Sequence, residues 1–472
     1  MRIISGTARG RTIVAPAGDR TRPTQDKVRE SLFNIIRWDV GDARVLDLFA
    51  GTGALSLESL SRGARSAVLV DTDRAACEAI RKNIAACRME DRARLLVRDY
   101  RQAIDQLARE GAKFELVFLD PPYRMENTGE MCAALYDRGL LAGEFLLVVE
   151  HRRGLAPLVT ANCTESLNFV VKGVLKKGDH VVTTDIEHNA VVRPIFKTGV
   201  EHTVIETSFE DDSLNVQRIE NSIKENTKLI IITSASNVFG KIMPLKEIGK
   251  IAKKHNILFA VDGAQGCGVI PIDMKDMNID FLCVAPHKGL YSIMGTGILI
   301  ARKNIDNTII EGGTGTDSVN PMQPTLSPER FESGTLNVPG ILSIGAGVDF
   351  VKKNIDNIYS NELAKIQHIY SELSKYENVI FYNTFPVINS FVPVLSFNIK
   401  GLNSQTTADL LNKNNIAVRA GLHCAPFAHK KMGTLKSGTV RIAPGFFTSG
   451  QETDFLIKII KKIALNSEKY IE

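Results

Sequence analysis

Two sets of residues in this sequence have the types and spacing that catalysis needs, and the first surrounds a glycine-rich turn. Asp47-Leu-Phe-Ala-Gly51-Thr-Gly53 closes one apolar run, and Asp71 and Asp99 end the next two. Glycines at such a turn allow the backbone to approach a bound nucleotide closely. A carboxylate at the second strand end can grip ribose hydroxyls, and one at the third can lie near an adenine amino group. The pattern predicts a nucleoside-containing cofactor at this turn.

Asp120-Pro121-Pro122-Tyr123 follows a further apolar run and suits methyl transfer to an exocyclic amine. Such a reaction needs acceptors that orient the NH2 group and a surface on which a flipped base can stack. The Asp120 carboxylate and the Pro121 carbonyl can accept the hydrogen bonds, and the Tyr123 ring can stack on the base. A buried strand that ends in a proline turn is the alternative interpretation.

The second set of residues lies later in the chain. Val261-Asp262-Gly-Ala-Gln265 and Ala285-Pro-His287-Lys288-Gly each end an apolar run. A carboxylate and a lysine at strand ends suit pyridoxal phosphate, because the lysine can hold the cofactor aldehyde covalently and the carboxylate keeps the pyridine nitrogen protonated. The protonated ring then acts as an electron sink. Asp262 and Lys288 therefore predict this cofactor.

Further residues would complete the same site. His188, in Glu187-His-Asn-Ala190, is placed to stack on the ring, and Gln265 to bond its phenolic oxygen. Cys163 and Thr164 precede a predicted helix, whose first backbone amides and threonine hydroxyl suit a phosphate. Taken singly, a buried histidine or an exposed lysine is usually structural. Together and in this order, these residues indicate a cofactor site.

Apolar periodicity predicts the elements that would position these residues. The first part alternates predicted strands at 44–49, 66–71, 94–99, 114–120 and 144–150 with helices that include 24–36, 74–87 and 101–110. Such alternation predicts a parallel, doubly wound sheet, whose ligands lie beyond the carboxyl ends of the strands.

The second part repeats this alternation and then changes. Strands are predicted at 180–184, 229–233, 257–261, 281–284 and 297–301. After Asn354 a long helix, strands around 379–382 and 392–399 and a last helix follow. This order predicts a large α/β domain followed by a smaller α+β domain.

The N-terminal part carries motifs beyond the glycine-rich turn and Asp120–Tyr123. They are Arg2-Ile-Ile-Ser-Gly6, Arg9-Gly-Arg11, Thr21-Arg22-Pro-Thr24, Val28-Arg-Glu30 and Leu32-Phe-Asn34. With these motifs, residues 1–153 resemble the bacterial 16S rRNA guanine-N2 methyltransferases. The resemblance implies a Rossmann-like domain with S-adenosylmethionine as methyl donor and a guanine of 16S rRNA, in the small ribosomal subunit, as acceptor.

The same resemblance assigns roles to individual residues. It implies catalysis by Asp120, Pro121 and Tyr123, and donor binding by residues at three strand ends, namely Asp47, Gly51, Gly53, Asp71 and Asp99. It also implies phosphate contacts by the arginines Arg9, Arg11, Arg20 and Arg22, which as isolated charges would form a solvated face. Family members continue past the strand at 144–151 with a terminal strand pair, which is missing here.

The later part carries a second series of motifs. They are Ser236-Asn237-Val-Phe-Gly240, Phe331-Glu-Ser-Gly-Thr335-Leu-Asn337, Arg419-Ala-Gly-Leu-His-Cys424 and Gly438-Thr-Val-Arg441. From about Val159 onward the sequence resembles class V aminotransferases, specifically the cysteine desulfurase branch. The resemblance implies a fold-type I pyridoxal-phosphate domain and a small domain. The family's opening segment is absent, and Ser292-Ile293 stand where small residues or Gly-Pro are usual.

This resemblance implies a second set of roles. The cofactor would be held by Cys163, Thr164, His188, Asn237, Asp262, Gln265, His287, Lys288 and Thr335. Thr335 would reach the cofactor phosphate of the partner subunit, which implies a homodimer. Arg441, with Asn237, would bind the carboxylate of L-cysteine. Cys424 would take the sulfur and hold it as a persulfide, from which a sulfur-acceptor protein could receive it.

The composition changes where the two resemblances meet. Up to Gly154 the chain has 22 Arg and 3 Lys, whereas from Leu155 onward it has 6 Arg and 27 Lys. Because both residues solvate surfaces, the change indicates two coding histories; an RNA-binding half that prefers arginine is the alternative. We predict a methyltransferase-like domain at 1–154, a cofactor-binding large domain at 155–350 and a small domain at 351–472.

Three hypotheses describe the join near residues 152–158, which has no Gly/Ser/Pro-rich spacer. The chain is a fused enzyme with both cofactor sites, a chimeric chain whose halves keep their folds with impaired activity, or an RNA-binding module tethered to a desulfurase. A class V aminotransferase without desulfuration is a further alternative for the second half. Seven cysteines without a pairing pattern, and apolar runs of strand length, predict a cytoplasmic protein with no membrane segment.

Overall fold

The computed structural model describes residues 1–15, 26–121, 125, 128–149, 157–315 and 319–470. The chain divides into two compact units, Met1–Arg153 and Gly154–Glu472. Several predicted features lie outside the described residues, namely Arg20, Arg22, Thr24, Tyr123 and most of the join at 152–158. Among the helices that are described, none is both long enough and apolar enough to cross a membrane.

The first unit alternates strands and helices around one five-stranded sheet. Its helices are α1 (Asp26–Ile35), α2 (Ala54–Ser61), α3 (Arg74–Cys87), α4 (Tyr100–Arg109) and α5 (Thr128–Asp137). Its strands are β1 (Arg44–Asp47), β2 (Ser66–Asp71), β3 (Ala93–Val97), β4 (Phe114–Leu119) and β5 (Leu141–Val149). The order is β3-β2-β1-β4-β5, and its four pairings are parallel. The predicted doubly wound parallel sheet is confirmed.

Local sequence explains why these elements form where they do. In β1 and β4 nearly every side chain is buried, as expected for strands covered on both faces. The side chains of Asp73 and Asp99 cap α3 and α4 by accepting backbone N–H groups of Ala76 and Arg101. The order of strands reverses between β1 and β4, and the crevice at that point is where doubly wound sheets bind ligands.

The second unit begins with a larger mixed sheet. Its strands are β6 (Leu158–Thr160), β7 (His180–Thr184), β8 (Glu201–Ile205), β9 (Thr227–Thr233), β10 (Leu258–Asp262), β11 (Phe281–Val284) and β12 (Gly297–Ala301). The order is β6-β12-β11-β10-β9-β7-β8. The five strands from β11 to β8 are parallel to one another. At one side of them, β12 is antiparallel both to β11 and to β6. Helices α6 (Cys163–Val174), α7 (Asn189–Thr198), α8 (Asp212–Asn221) and α9 (Leu245–Lys254) connect the strands.

A long helix, α10 (Val338–Leu373), leads into the last part of the unit. That part has strands β13 (Val379–Phe381), β14 (Leu395–Ile399), β15 (Arg419–Gly421) and β16 (Thr439–Ile442), and helices α11 (Ser404–Asn412), α12 (Pro426–Lys431) and α13 (Gly450–Leu465). The sheet is antiparallel, in the order β13-β14-β16-β15. A large α/β layer followed by a smaller α+β layer agrees with the predicted fold class.

The start of α10 differs from the sequence-based prediction. The helix begins at Val338 rather than after Asn354, because the Asn337 side chain caps it through the Gly340 N–H and Pro339 occupies its first turn. The predicted domain boundary between residues 350 and 351 therefore falls inside one continuous helix.

Candidate functional sites

Asp262 is the centre of the candidate site in the second unit. It is the last residue of β10, only 3% exposed, between the carboxyl ends of β9 and β11. Its Oδ1 accepts the Ala264 N–H at 2.9 Å, and the Cys163 sulfur lies 3.8 Å from the same oxygen. Because Cys163 is the first residue of α6, this contact places the N-terminus of that helix next to the Asp262 carboxylate.

Lys288 lies a few residues beyond the end of β11. Its side chain is exposed to solvent, yet the protein around it desolvates the ammonium and lowers its pKa. The negative charge of Asp262 opposes this effect, while Arg441 and Arg419 lower the pKa further. A lowered pKa increases the neutral amine fraction, which is the nucleophilic form.

His188 caps helix α7 with its ring. Its Nδ1 accepts the Ala190 N–H at 3.0 Å, so the proton of the neutral ring is on Nε2. Desolvation lowers the pKa of His188 and keeps the ring neutral. The next residue, Asn189, donates its N–H to the Cys424 carbonyl oxygen at 2.6 Å, which ties this helix to the loop of the candidate nucleophile.

Cys424 is an exposed thiol on a constrained loop. His423 and Cys424 both have left-handed backbone, with φ of 47° and 57°, which costs non-glycine residues energy and is typical of functional positions. His423 is buried beneath the loop, with its Nε2 3.0 Å from the Thr439 carbonyl oxygen. Burial lowers the pKa of His423 to about 3, so the ring is neutral and acts as a structural donor.

Asn237 and Arg441 stabilise the loop that contains His423 and Cys424. The Asn237 amide donates to the His423 carbonyl oxygen at 2.8 Å, and Arg441 donates to the Asn237 carbonyl oxygen at 2.8 Å. Arg441 also pairs in register with Arg419 across β16 and β15. The structure therefore brings Asn237, Arg441 and Cys424 together, and gives Asn237 a loop-holding contact that its predicted cofactor role did not include.

Other predicted residues occupy more open positions. Thr164 is exposed in the first turn of α6, and Thr335 is exposed in the segment before α10. His287 is exposed beside Lys288, and Gln265 is half-buried after β10. Cys163 is the exception, because its thiol is buried against Asp262 and desolvation raises its pKa well above the ordinary value.

Glu187 is a site residue that the sequence analysis did not assign. Its side chain is fully buried, and its Oε1 accepts the Thr184 hydroxyl at 2.6 Å and the Thr233 N–H at 3.0 Å. Desolvation raises the pKa of Glu187 to about 8, so this carboxyl group is largely protonated at neutral pH. The signal available in the sequence was an acidic residue between Ile186 and His188, directly after an apolar strand.

The first unit gathers three carboxylates at the strand ends of its sheet. Asp47 ends β1, is 1% exposed, and accepts the Ser56 hydroxyl at 3.0 Å. Burial, together with the nearby charges of Asp120 and Asp71, raises the pKa of Asp47 to about 7. Asp71 accepts the Gly51 N–H at 2.8 Å, so it fixes the glycine-rich turn. Asp99 caps α4, and Gly53 has a left-handed backbone with φ of 75°.

The structure describes some, but not all, of the residues that were predicted to contact or modify RNA. Arg9 is exposed, whereas Arg11 donates to the Ala86 carbonyl oxygen at 2.8 Å near the end of α3. Pro121 is buried directly after Asp120, while Tyr123 and Arg22 lie outside the described residues.

The chemistry of both sites fits the predicted cofactors. In the second unit, a buried carboxylate, a lysine of lowered pKa, a neutral histidine and a helix N-terminus match the nitrogen, aldehyde, ring and phosphate of pyridoxal phosphate. In the first unit, clustered carboxylates around a glycine turn match the ribose hydroxyls and positive sulfonium of S-adenosylmethionine. In each unit, the side chains that would contact the cofactor lie at the carboxyl ends of neighbouring parallel strands.

Comparison with known proteins places both parts in families. Residues 156–456 match the family model described as aminotransferase class-V, and residues 1–168 match the one described as conserved hypothetical protein 95, a methyltransferase family. A probable cysteine desulfurase of Pyrococcus abyssi is 32% identical over 317 residues, which cover 64% of this chain and 78% of that protein. Another from Methanothermobacter thermautotrophicus is 30% identical over 317 residues, covering 65% and 78%.

Solved structures agree with this assignment. The apo cysteine desulfurase of Thermococcus onnurineus NA1 is 31% identical, with a TM-score of 0.61 over 66% of this chain and 79% of that one. The cysteine desulfurase CsdA of Escherichia coli, at 24% identity and a TM-score of 0.60 over the same shares, supports the fold alone. Both predicted resemblances are confirmed at the family level. The chain belongs to the class V aminotransferase family, and its second unit is similar to cysteine desulfurases.

Proposed function

We propose that the second unit uses pyridoxal phosphate to remove sulfur from L-cysteine, giving alanine and a persulfide on Cys424. The observation that carries this proposal is the exposed Cys424 thiol on a strained loop. Asn189 and Asn237 bond to carbonyl oxygens of this loop, and Arg441 in turn bonds to Asn237. A transaminase has no need of a thiol held at the mouth of its cofactor site.

The roles of the chain's own residues follow from their environments. When bound, pyridoxal phosphate would supply an electron sink, and the Asp262 carboxylate would keep its ring nitrogen protonated. Arg441 binds the substrate carboxylate through guanidinium nitrogens not used toward Asn237. Lys288, whose pKa is lowered, accepts and returns the proton of the substrate α-carbon. The Cys424 thiolate takes the substrate sulfur: the new S–S bond forms as the C–S bond breaks, and the carbon skeleton leaves as alanine.

A comparison of the parent chain with Cys424→Ser tests this function. The parent, loaded with pyridoxal phosphate, is expected to form alanine from L-cysteine and to carry a persulfide on Cys424, as read by mass spectrometry. Cys424→Ser should retain the cofactor absorbance and lose both products. Undiminished sulfur release by the variant would favour a class V aminotransferase without desulfuration.

We propose that the first unit uses S-adenosylmethionine to methylate guanine N2 in 16S rRNA. The support is the convergence of Asp47, Asp71 and Asp120 at the strand ends where the sheet order reverses. Transfer of a labelled methyl group to small ribosomal subunits that lack the modification would test it. A labelled product whose methyl group lies on another atom or another RNA would contradict it.

We infer that the two activities are carried by separate cores, and that methyl transfer is the weaker one. The family match of the first unit extends to residue 168, but residues 158–160 form a strand of the second sheet. The methyltransferase core therefore lacks at least one segment that its relatives include. A homodimer through the second unit, with Thr335 at the site of the partner subunit, completes the proposal.

A further inference from the structure

A groove of about 380 Å³ opens beside Cys424 between helices α6 and α7. Thr164, Asn168 and Lys172 line it on successive turns of α6, and Arg193 and Lys197 line it along α7. Because each step of four residues advances about 6 Å along a helix, the groove runs outward from the site for about two turns. Its volume is within the range of small-molecule sites, roughly 300 to 1,000 Å³.

The groove carries positive charge that the protein does not neutralise. Lys172, Arg193 and Lys197 are exposed, and within the described ranges of the chain none of them makes an ion pair or hydrogen bond. No acidic side chain contributes to the lining. Other lysines of the same unit do pair, for example Lys176 with Asp306 at 2.8 Å. Three unpaired cations along one groove concentrate anions there.

We propose that this groove binds the acceptor that removes sulfur from Cys424, and that the acceptor is a small thiol bearing carboxylates. The proposal rests on the desulfurase function proposed above and names the second substrate of that site. Cys424 stands in the groove lining together with His188, so a thiol whose carboxylates contact Arg193 and Lys197 has its sulfur free to reach the persulfide. The positive charge also lowers the pKa of a bound thiol.

The transfer balances without an external oxidant or reductant. The acceptor thiol loses its proton to solvent, and its thiolate attacks the outer sulfur of the Cys424 persulfide. A new S–S bond forms on the acceptor as the bond to the Cys424 sulfur breaks. Cys424 leaves as a thiolate, ready for the next molecule of L-cysteine, and the acceptor leaves as a persulfide.

Alkylation of Cys424 tests the groove independently of catalysis. The probes are iodoacetate, which is anionic, and iodoacetamide, which is neutral, and the rate at Cys424 is followed by peptide mass spectrometry. In the double variant Arg193→Leu, Lys197→Gln the ratio of the two rates should fall by about three- to tenfold relative to the parent, and high salt should reduce the parent ratio. The control is the double variant Lys400→Gln, Lys413→Gln, which removes the same two positive charges from exposed lysines that do not line the groove, and it should leave the ratio unchanged. A ratio unaffected by the Arg193→Leu, Lys197→Gln variant would overturn the proposal.

Turnover with different acceptors tests the substrate class. Alanine formation by the holoenzyme is measured with mercaptosuccinate, 2-mercaptoethanol and cysteamine, which are anionic, neutral and cationic. The expected kcat/KM is highest for the anionic thiol, intermediate for the neutral one and lowest for the cationic one. These differences should disappear in Arg193→Leu, Lys197→Gln and persist in Lys400→Gln, Lys413→Gln. A first turnover of alanine followed by equal rates with all three thiols would overturn this proposal and leave the desulfurase function standing. Absence of the first turnover would instead refute the desulfurase function, and the acceptor role with it.

Discussion

Asp47 and Asp262 occupy equivalent positions, each the last residue of a buried parallel strand, but their surroundings differ. Asp47 is buried near the charges of Asp120 and Asp71, and its pKa is raised to about 7, so this carboxyl group is partly protonated at neutral pH. Asp262 instead receives a backbone N–H and a thiol and lies opposite the cation of Lys288. The same strand-end position therefore has a different electrostatic environment in each unit, which suits the sulfonium-type ligand proposed for the first and the pyridinium-type ligand proposed for the second.

Lys288→Ala is expected to abolish covalent attachment of pyridoxal phosphate while the fold persists, because the side chain is exposed and lacks a core role. The measurement is borohydride reduction followed by peptide mapping, with circular dichroism as the check on folding. Lys303→Ala, which removes an exposed lysine just beyond β12, is the control and should still be labelled at Lys288. Labelling of a different lysine in the parent chain would show that the assignment is wrong.

Asp120→Ala is expected to reduce methyl transfer by about a hundredfold or more while donor affinity changes little. The reason is that Asp120 follows β4, where we propose that the acceptor base binds, whereas the proposed donor site is the turn that Asp71 fixes through Gly51. Donor affinity is measured by calorimetry and methyl transfer by label incorporation. Asp71→Ala should show the reverse pattern at the binding step, and a large loss of donor affinity in Asp120→Ala would place that residue in the donor pocket.

The residues that sequence analysis assigned share one property: each is a chemically distinctive type at the end of an apolar run. Asp262, Lys288 and Asp120 are found in this way, because strand ends in parallel sheets are where ligands bind. The contacts of Cys163 with Asp262 and of Asn237 with His423 could not be predicted. They join residues 99 and 186 positions apart, and only the folded topology brings such residues together.

At the scale of elements, α10 packs tightly against the loop of Lys288. A Cβ atom added at Gly347 would lie 1.9 Å from the Leu290 carbonyl oxygen, which is closer than two atoms can approach. Tyr291, the next residue of the loop, donates to Glu362 of the same helix at 3.1 Å. Ser292, one of the two unusual residues, faces Ser343 of α10 at 2.6 Å, while Ile293 is exposed.

Gly347→Ala is therefore expected to destabilise the second unit by about 1 to 3 kcal/mol and to weaken retention of the cofactor. Gly345→Ala is the matched control, because the same atom added two residues earlier on α10 meets nothing within 4 Å. That change should be neutral or stabilise the helix by up to about 1 kcal/mol. Chemical denaturation and cofactor absorbance measure both effects, and equal behaviour of the two variants would contradict the close contact.

The burial of Glu362 beside Tyr291 predicts a pH dependence of stability. Burial raises the pKa of Glu362 from 4.5 to about 7, so between these values the folded state binds more protons than the unfolded state. The contribution of this group to stability should be greatest below pH 4.5 and should fall as the pH rises toward 7, by about 3 kcal/mol in total.

Glu362→Gln keeps the hydrogen bond from Tyr291 and removes the ionisation. Relative to the parent, it should therefore gain stability steadily from about pH 4.5 to 7, measured as the difference in denaturation midpoint. A difference that does not vary with pH would show that Glu362 titrates normally.

Several elements have the bounds that the sequence predicts, whereas β9 and β10 differ from their predicted bounds by one or two residues. Strands β2, β7, β11 and β12 and helix α3 begin and end at the predicted residues. Strand β8 was not predicted, because its residues Glu201–Ile205 are mostly polar and only Ile205 is buried. A strand at the side of a sheet is held by main-chain hydrogen bonds to one neighbour, which leave no hydrophobic pattern in its sequence.

At the scale of the whole molecule, the division into two units predicts independent unfolding. Limited proteolysis should cut near residues 150–156 and release two compact fragments that correspond to Met1–Arg153 and Gly154–Glu472. Calorimetry should show two transitions, and pyridoxal phosphate should raise only the midpoint that belongs to the second fragment. A single cooperative transition, with full methylation of small ribosomal subunits, would favour one integrated bifunctional enzyme.

Strand β6 has a consequence for the order in which the protein folds. On the ribosome, the first sheet is complete when residues 158–160 emerge, but their partner β12 is synthesised only at residues 297–301. During that interval β5, which lies at one end of the first sheet, offers a finished surface for pairing. Residues 156–168 are matched by both family models. The newly synthesised segment could therefore pair with either of two sheets. In the folded protein, the burial of Leu158 and the hydrogen bond from the Val159 N–H to the Glu332 carboxylate hold the segment in the second sheet.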